Sequence, residues 1–132
     1  MNELMKVLVV DDSRCIQAIL GDLLNSIGIY NVEFANDGRE AYSLIEEKEN
    51  YDLVISDINM PIWSGIKLIE EVSKSAKGLN LPFIFLSAEI DEVTFNSVKS
   101  MGAVDFIAKP FDPEKFIDTI MNFIEYNLEK VA

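Results

Sequence analysis

Three features of the sequence predict an α/β fold: a doubly wound, five-stranded parallel sheet with helices on both faces. Five short apolar runs are spaced along the 132 residues. Each is followed by a stretch with helical periodicity, and such alternation implies right-handed crossovers between parallel strands. The third feature is where polar residues fall. Asp11, Asp12, Asp57, Ser87 and Lys109 stand at the ends of runs, and in a parallel sheet those ends share one edge, where ligands bind.

The first strand is Met5–Val10, within an aliphatic run that begins at Leu4 and reads as buried on both faces. Ile16, Ile19, Leu20, Leu23, Leu24 and Ile27 then recur at helical spacing, and Gly28 is placed to end that helix. Asn31–Ala35 is a second, weaker strand, and Arg39–Glu47 a helix packing through Ala41, Leu44 and Ile45. Leu53–Ser56 is the third strand. After the turn residues Pro61 and Gly65, Ile66, Leu68, Ile69 and Val72 mark the third helix. Pro82–Leu86 is the fourth strand, with proline at its tolerated first position. Asp91–Ser100 is a helix and Ala103–Ala108 the fifth strand. Pro113 opens a last helix carrying Phe116, Ile117, Ile120, Phe123, Ile124 and Leu128. No repeat, linker or low-complexity segment interrupts this order, so residues 1–132 are expected to form a single domain.

Composition narrows the function. With 23 acidic against 11 basic residues the net charge is −12, so a phosphate backbone is repelled and nucleic acid is not expected as a partner. The absence of histidine excludes Ser-His-Asp and Cys-His catalysis and histidine metal sites. The lone Cys15 permits no internal disulfide, and no apolar stretch is long enough for a membrane span. A cytoplasmic protein without membrane attachment is expected.

The sheet edge would gather three carboxylates, one hydroxyl and one ammonium. Asp11 and Asp12 are adjacent like charges where the chain leaves the core, and something must offset their repulsion. A hard cation does so. Mg2+ favours a few carboxylates and several waters. With Lys109 and Ser87 alongside, the group forms a cradle for a transferring phosphoryl group, and Asp57, at a strand tip, is the candidate nucleophile. Taken singly, such residues are more often caps or turn residues, and Asp12 or Ser13 could simply cap the first helix. Complementary chemistry at four strand ends favours function.

In "VVDDS" (Val9–Ser13), "SDINMP" (Ser56–Pro61) with Gly65 behind it, "LSA" (Leu86–Ala88) and "AKPF" (Ala108–Phe111), the sequence resembles the receiver domain of two-component response regulators. The similarity runs along essentially the whole chain and is greatest to free-standing chemotaxis receivers. It implies a flavodoxin-like sheet of order 2-1-3-4-5 and no attached output domain. It also implies phosphoryl transfer onto Asp57 from a sensor histidine kinase or phosphotransfer protein. Asp12 and Asp57 would bind Mg2+ through side chains, Asn59 through its backbone carbonyl and Asp11 mostly through water. Lys109 would pair with the phosphoryl group, Ser87 would turn its hydroxyl towards it, and Lys109–Pro110 would be cis. Asn59 and Glu89 occupy the positions that tune self-hydrolysis. Phe106 stands where the family often has a switch tyrosine, which keeps the ring but removes the hydroxyl; a core role alone fits it equally well. A downstream protein would dock on the face of the fourth helix, fifth strand and fifth helix, with the receiver acting as a monomer.

Two other classes also use parts of this pattern. A haloacid-dehalogenase-like phosphatase needs a second aspartate two residues after its nucleophile, where this chain has Asn59. A flavodoxin-like cofactor binder needs a Ser/Thr/Gly-rich first loop, where this chain has two aspartates. A receiver that passes its phosphoryl group onward stays open within the family. Cys15 reads as a small packing residue. Trp63 fits either a contact residue or a partly exposed aromatic. Phe95, Phe106 and Phe111 are either core or apolar surface near the fourth helix.

Overall fold

A computed structural model of the chain describes residues 4–48, 50–75, 80–88 and 92–131. The elements follow the expected order: β1 (Lys6–Val10), α1 (Arg14–Ser26), β2 (Asn31–Ala35), α2 (Gly38–Lys48), β3 (Leu53–Asp57), α3 (Gly65–Ser73), β4 (Phe83–Ser87), α4 (Glu92–Lys99), β5 (Ala103–Ala108) and α5 (Pro113–Val131). All pairings are parallel, and the sheet order is β2-β1-β3-β4-β5. The expected order 2-1-3-4-5 is therefore observed.

The three central strands carry near-continuous aliphatic and aromatic sequence because both of their faces are covered. Side chains alternate between two cores. Leu8, Val10, Val54, Phe83 and Phe85 face α2, α3 and α4, packing on Ala41, Ile45, Leu68, Ile69, Val72 and Val98. Val7, Val9, Ile55, Ile84 and Leu86 face α1 and α5, packing on Leu20, Leu24, Phe116, Ile120 and Ile124. The edge strands β2 and β5 keep exposed positions, which accounts for the weaker apolar pattern of β2.

Several local expectations change. Leu4 is 82% exposed and precedes β1 rather than joining it. Ile19 is 40% exposed, because the stripe that α1 buries is Gln17, Leu20, Gly21 and Leu24. Gly21 is on that stripe because α1 approaches β2 closely: an added Cβ would lie 3.0 Å from the Phe34 ring. The end of α1 is as read. Gly28 takes φ 88°, its N–H donates to Asn25, and the Ile29 N–H donates to Leu24, the paired bonds of a Schellman cap. Pro82 falls just before β4, where its carbonyl accepts from the Val54 N–H at 3.0 Å. Asp91 and Glu89 lie outside the described residues.

The amino end of the sheet is tied by a polar knot. The Tyr51 hydroxyl donates to Glu33 at 2.7 Å, and the Lys6 ammonium lies 3.1 Å from Glu33 and 5.0 Å from the Tyr51 ring centre. Burial, then the bond to Glu33, pushes the Tyr51 phenol well above its usual range. The folded state thus holds this proton more tightly than the unfolded chain. The stabilisation from Tyr51 is full below about pH 10 and is lost as pH rises beyond it. Tyr51→Phe should therefore cost roughly 1–2 kcal/mol at pH 7. That difference from wild type should shrink in urea melts above about pH 10; a constant difference would contradict the linkage.

Candidate functional site

Each functional side chain is set by the end of a strand. Asp57 is the last residue of β3 and is 7% exposed; Asp11 follows β1 and is 1% exposed. Asp12, one residue on, is exposed. Oxygens of all three carboxylates lie within 4.8 Å of one another. Ser87 ends β4 and is buried. Lys109 follows β5, and its N–H donates to the Ser87 carbonyl at 2.8 Å, which ties the ends of β4 and β5 together. The Lys109–Pro110 peptide is cis, as the resemblance implied.

Lys109 reaches back over this edge. Its ammonium lies 3.0 Å from Asp11 Oδ2 and 3.2 Å from Asp57 Oδ2. The other Asp11 oxygen accepts from the Ser13 N–H at 2.9 Å, and Asp57 Oδ1 faces the Asn59 N–H at 3.4 Å. Burial raises the Asp57 carboxyl above the ordinary carboxylate range, the Lys109 ammonium lowers it, and the Asp11 charge raises it again; the net direction is upward. Burial acts to lower Lys109, but its bonds to Asp11 and Asp57 outweigh this and raise it. The ammonium compensates only part of the carboxylate charge.

That shortfall suits a cation. The donors are hard oxygens lying within 4.8 Å of one another, the donor type that Mg2+ takes. Asp12, Asp57 and Asp11 fit such an ion. The capping role falls to Ser13, whose Oγ accepts from the Ile16 N–H at 3.3 Å.

The loop after Asp57 is shaped by one glycine. A Cβ on Gly65 would collide with the Asp57 carbonyl and lie 3.1 Å from Ile58 Cα. Without it, α3 starts against the backbone of the strand tip, and the Gly65 N–H donates to the Ile58 carbonyl at 2.8 Å. Trp63, on the same loop, is half-buried between Tyr42 (5.3 Å between ring centres) and the Lys67 ammonium (5.5 Å from the ring centre). Its carbonyl accepts from the Gly38 N–H at 3.2 Å. Trp63 therefore packs the loop against α2 and α3.

Other expected residues sit further out. Phe106 is 42% exposed and stacks edge-on to Phe95 at 5.2 Å, so it is not a core residue in this state. Phe111 is half-buried and packs on Phe116 at 5.8 Å. Cys15 is exposed. One residue escaped the sequence reading altogether. Gln17 is buried, and its amide donates to the Asp11 carbonyl. The available signal was a polar residue in line with Leu20, Gly21 and Leu24, one turn after the acidic pair.

Comparison with known proteins bears on this arrangement. The family model of the response regulator receiver domain matches residues 7–121. A probable chemotaxis protein CheY of Rhizobium etli is 34% identical over 113 residues, covering 86% of this chain and 87% of that protein. A probable transcriptional regulator ycf29 of Porphyra purpurea is 36% identical over 120 residues, covering 89% of this chain; the chain spans only 56% of that relative's length. The solved structure of the Vibrio cholerae chemotaxis protein CheY4 superposes with a TM-score of 0.81 at 34% identity, covering 90% of this chain and 98% of that one. Among the described residues no helix is long and apolar enough to cross a membrane.

Binding of a cation at the acidic cluster should stabilise the fold by mass action. At ten times Kd the gain is about 1.4 kcal/mol, roughly 5 °C for a domain of this size. Thermal melts with and without Mg2+ should show this rise in wild type and a much smaller one in Asp12→Ala. Equal rises would place the ion elsewhere.

Proposed function

The chain belongs to the response regulator receiver domain family of two-component signalling, and on that premise we propose that it is a Mg2+-dependent phospho-acceptor switch. Asp57 receives a phosphoryl group from a sensor histidine kinase or a phosphotransfer protein. The observation that carries this reading is the Lys109 bridge to Asp11 and Asp57, with Asp12 beside it, at the carboxyl end of the buried strand β3.

An Asp57 carboxylate oxygen attacks the phosphorus of an N-phosphohistidine. A P–O bond forms as the P–N bond breaks, and the departing electron pair goes to the imidazole nitrogen of the donor. Asp12, Asp57 and the Asn59 carbonyl, with Asp11 through water, would hold Mg2+, which would supply positive charge to the phosphoryl oxygens. The Lys109 ammonium is within reach of a group on Asp57 and pairs with it. The Ser87 hydroxyl donates to a phosphoryl oxygen, a bond to a charged acceptor worth roughly 1.5–3 kcal/mol. Only contacts that differ between two states can shift a population, and this is such a contact. Phe106 responds by turning from its exposed position, without a hydroxyl to latch it.

The phosphorylated form acts by docking, not by catalysis on another molecule. Val93 and Phe106 already leave apolar surface on α4 and β5, which supports a protein partner at the face of α4, β5 and α5. The receiver acts in the cytoplasm.

Incubation with acetyl phosphate and Mg2+ followed by mass spectrometry tests the acceptor. Wild type should gain one phosphoryl group, and Asp57→Asn should gain none. Labelling of Asp57→Asn to the wild-type extent would assign the acceptor to another residue.

A further inference from the structure

Gln17 is 9% exposed and has no part in the reactions above. A primary amide is costly to bury unless its hydrogens find acceptors. Here Nε2 donates to the Asp11 carbonyl at 2.7 Å and to Asn36 Oδ1 at 2.9 Å. One side chain on α1 thus joins the loop after β1 to the loop after β2.

Both ends of that bridge continue. The Asp11 N–H donates to the Ala35 carbonyl at 3.1 Å, so Asp11 is held through its N–H by β2 and through its C=O by Gln17. That C=O shares a peptide plane with the N–H of Asp12, so its orientation helps set the direction of the Asp12 carboxylate. On the other side, the backbone N–H and Nδ2 of Asn36 donate to Glu40 at 3.3 and 3.2 Å. The Gly38 N–H donates to Trp63 on the loop after Asp57. Hydrogen bonds thus link the loops after β1, β2 and β3.

We infer that Gln17 is a positioning residue for divalent-cation binding: its amide holds the Asp11–Asp12 peptide in the orientation that presents both carboxylates. This rests on the reading of the acidic cluster as an ion site. Residues that orient metal ligands from behind typically change affinity by roughly 10–100-fold when lost. Holding one peptide plane corresponds to the lower part of that range, about tenfold.

The test is Mn2+ binding by the full chain, followed by electron paramagnetic resonance at pH 8 and low temperature. Circular dichroism checks that each variant is folded. Gln17→Met keeps length and volume but has no donor. Gln17→Glu keeps the shape, replaces donors with acceptors and adds a negative charge. Ile120→Val lowers stability from the far core without touching the site. The proposal expects about tenfold weaker Mn2+ binding in both Gln17 variants and wild-type affinity in Ile120→Val. Gln17→Glu is decisive in sign, because a pure field effect of the added charge would tighten cation binding, whereas loss of the donor weakens it. Tighter binding in Gln17→Glu, wild-type affinity in Gln17→Met, or an equal loss in Ile120→Val would each overturn the role of Gln17 while leaving the ion site intact. Absence of Mn2+ binding in wild type would overturn the ion-site reading and this inference with it.

Discussion

Two buried carboxylates, Asp11 and Asp57, meet where β1 and β3 end, with the exposed Asp12 close beside them. Burial and the neighbouring Asp11 charge both disfavour the charged form of Asp57, and unpaired charge in such a place is among the costlier features a small domain can carry. The Lys109 ammonium, 3.0 and 3.2 Å away, offsets much of this cost. It cannot offset all of it, because one positive charge faces three negative ones. The residual negative charge is what a bound cation would neutralise.

That bridge depends on the fold in a definite way. Asp11 and Lys109 are 98 residues apart in the chain, and only a parallel sheet brings the ends of their strands to the same edge. The two cores on either face make β1, β3 and β4 rigid enough to hold such a site. Close backbone approaches complete it. Gly65 lets α3 start against the Asp57 carbonyl. Gly38 likewise leaves room for the loop after Asp57, since a Cβ there would come within 2.6 Å of the Trp63 carbonyl.

Much of this was legible in the sequence because it depends on period and punctuation. The bounds of β2 and β5 and the start of α5 at Pro113 could be read directly. So could the convergence of Asp11, Asp12, Asp57, Ser87 and Lys109 on one edge, which follows from strand–helix alternation alone. Contacts that depend on approach distance could not be read. Ile19 belongs to the aliphatic pattern of α1, but helix rotation is set by Gly21 against Phe34, which turns Ile19 outward. Gln17 looks like a surface residue until Asn36 and the Asp11 carbonyl are brought to either side of its amide. The outward placement of Phe106 depends on its stacking against Phe95 of α4, which no local pattern reports.

The central claim is that Lys109 and a bound cation relieve the same crowding of carboxylates. Lys109→Met keeps much of the side-chain volume and removes the charge. Thermal melts of this variant and of wild type, each with EDTA and with saturating Mg2+, measure the claim directly. With EDTA the variant should lose roughly 3 kcal/mol, about 10 °C, and Mg2+ should restore most of that loss. A loss of the same size with and without Mg2+ would show that ammonium and cation do not compensate the same charges, and would contradict the account.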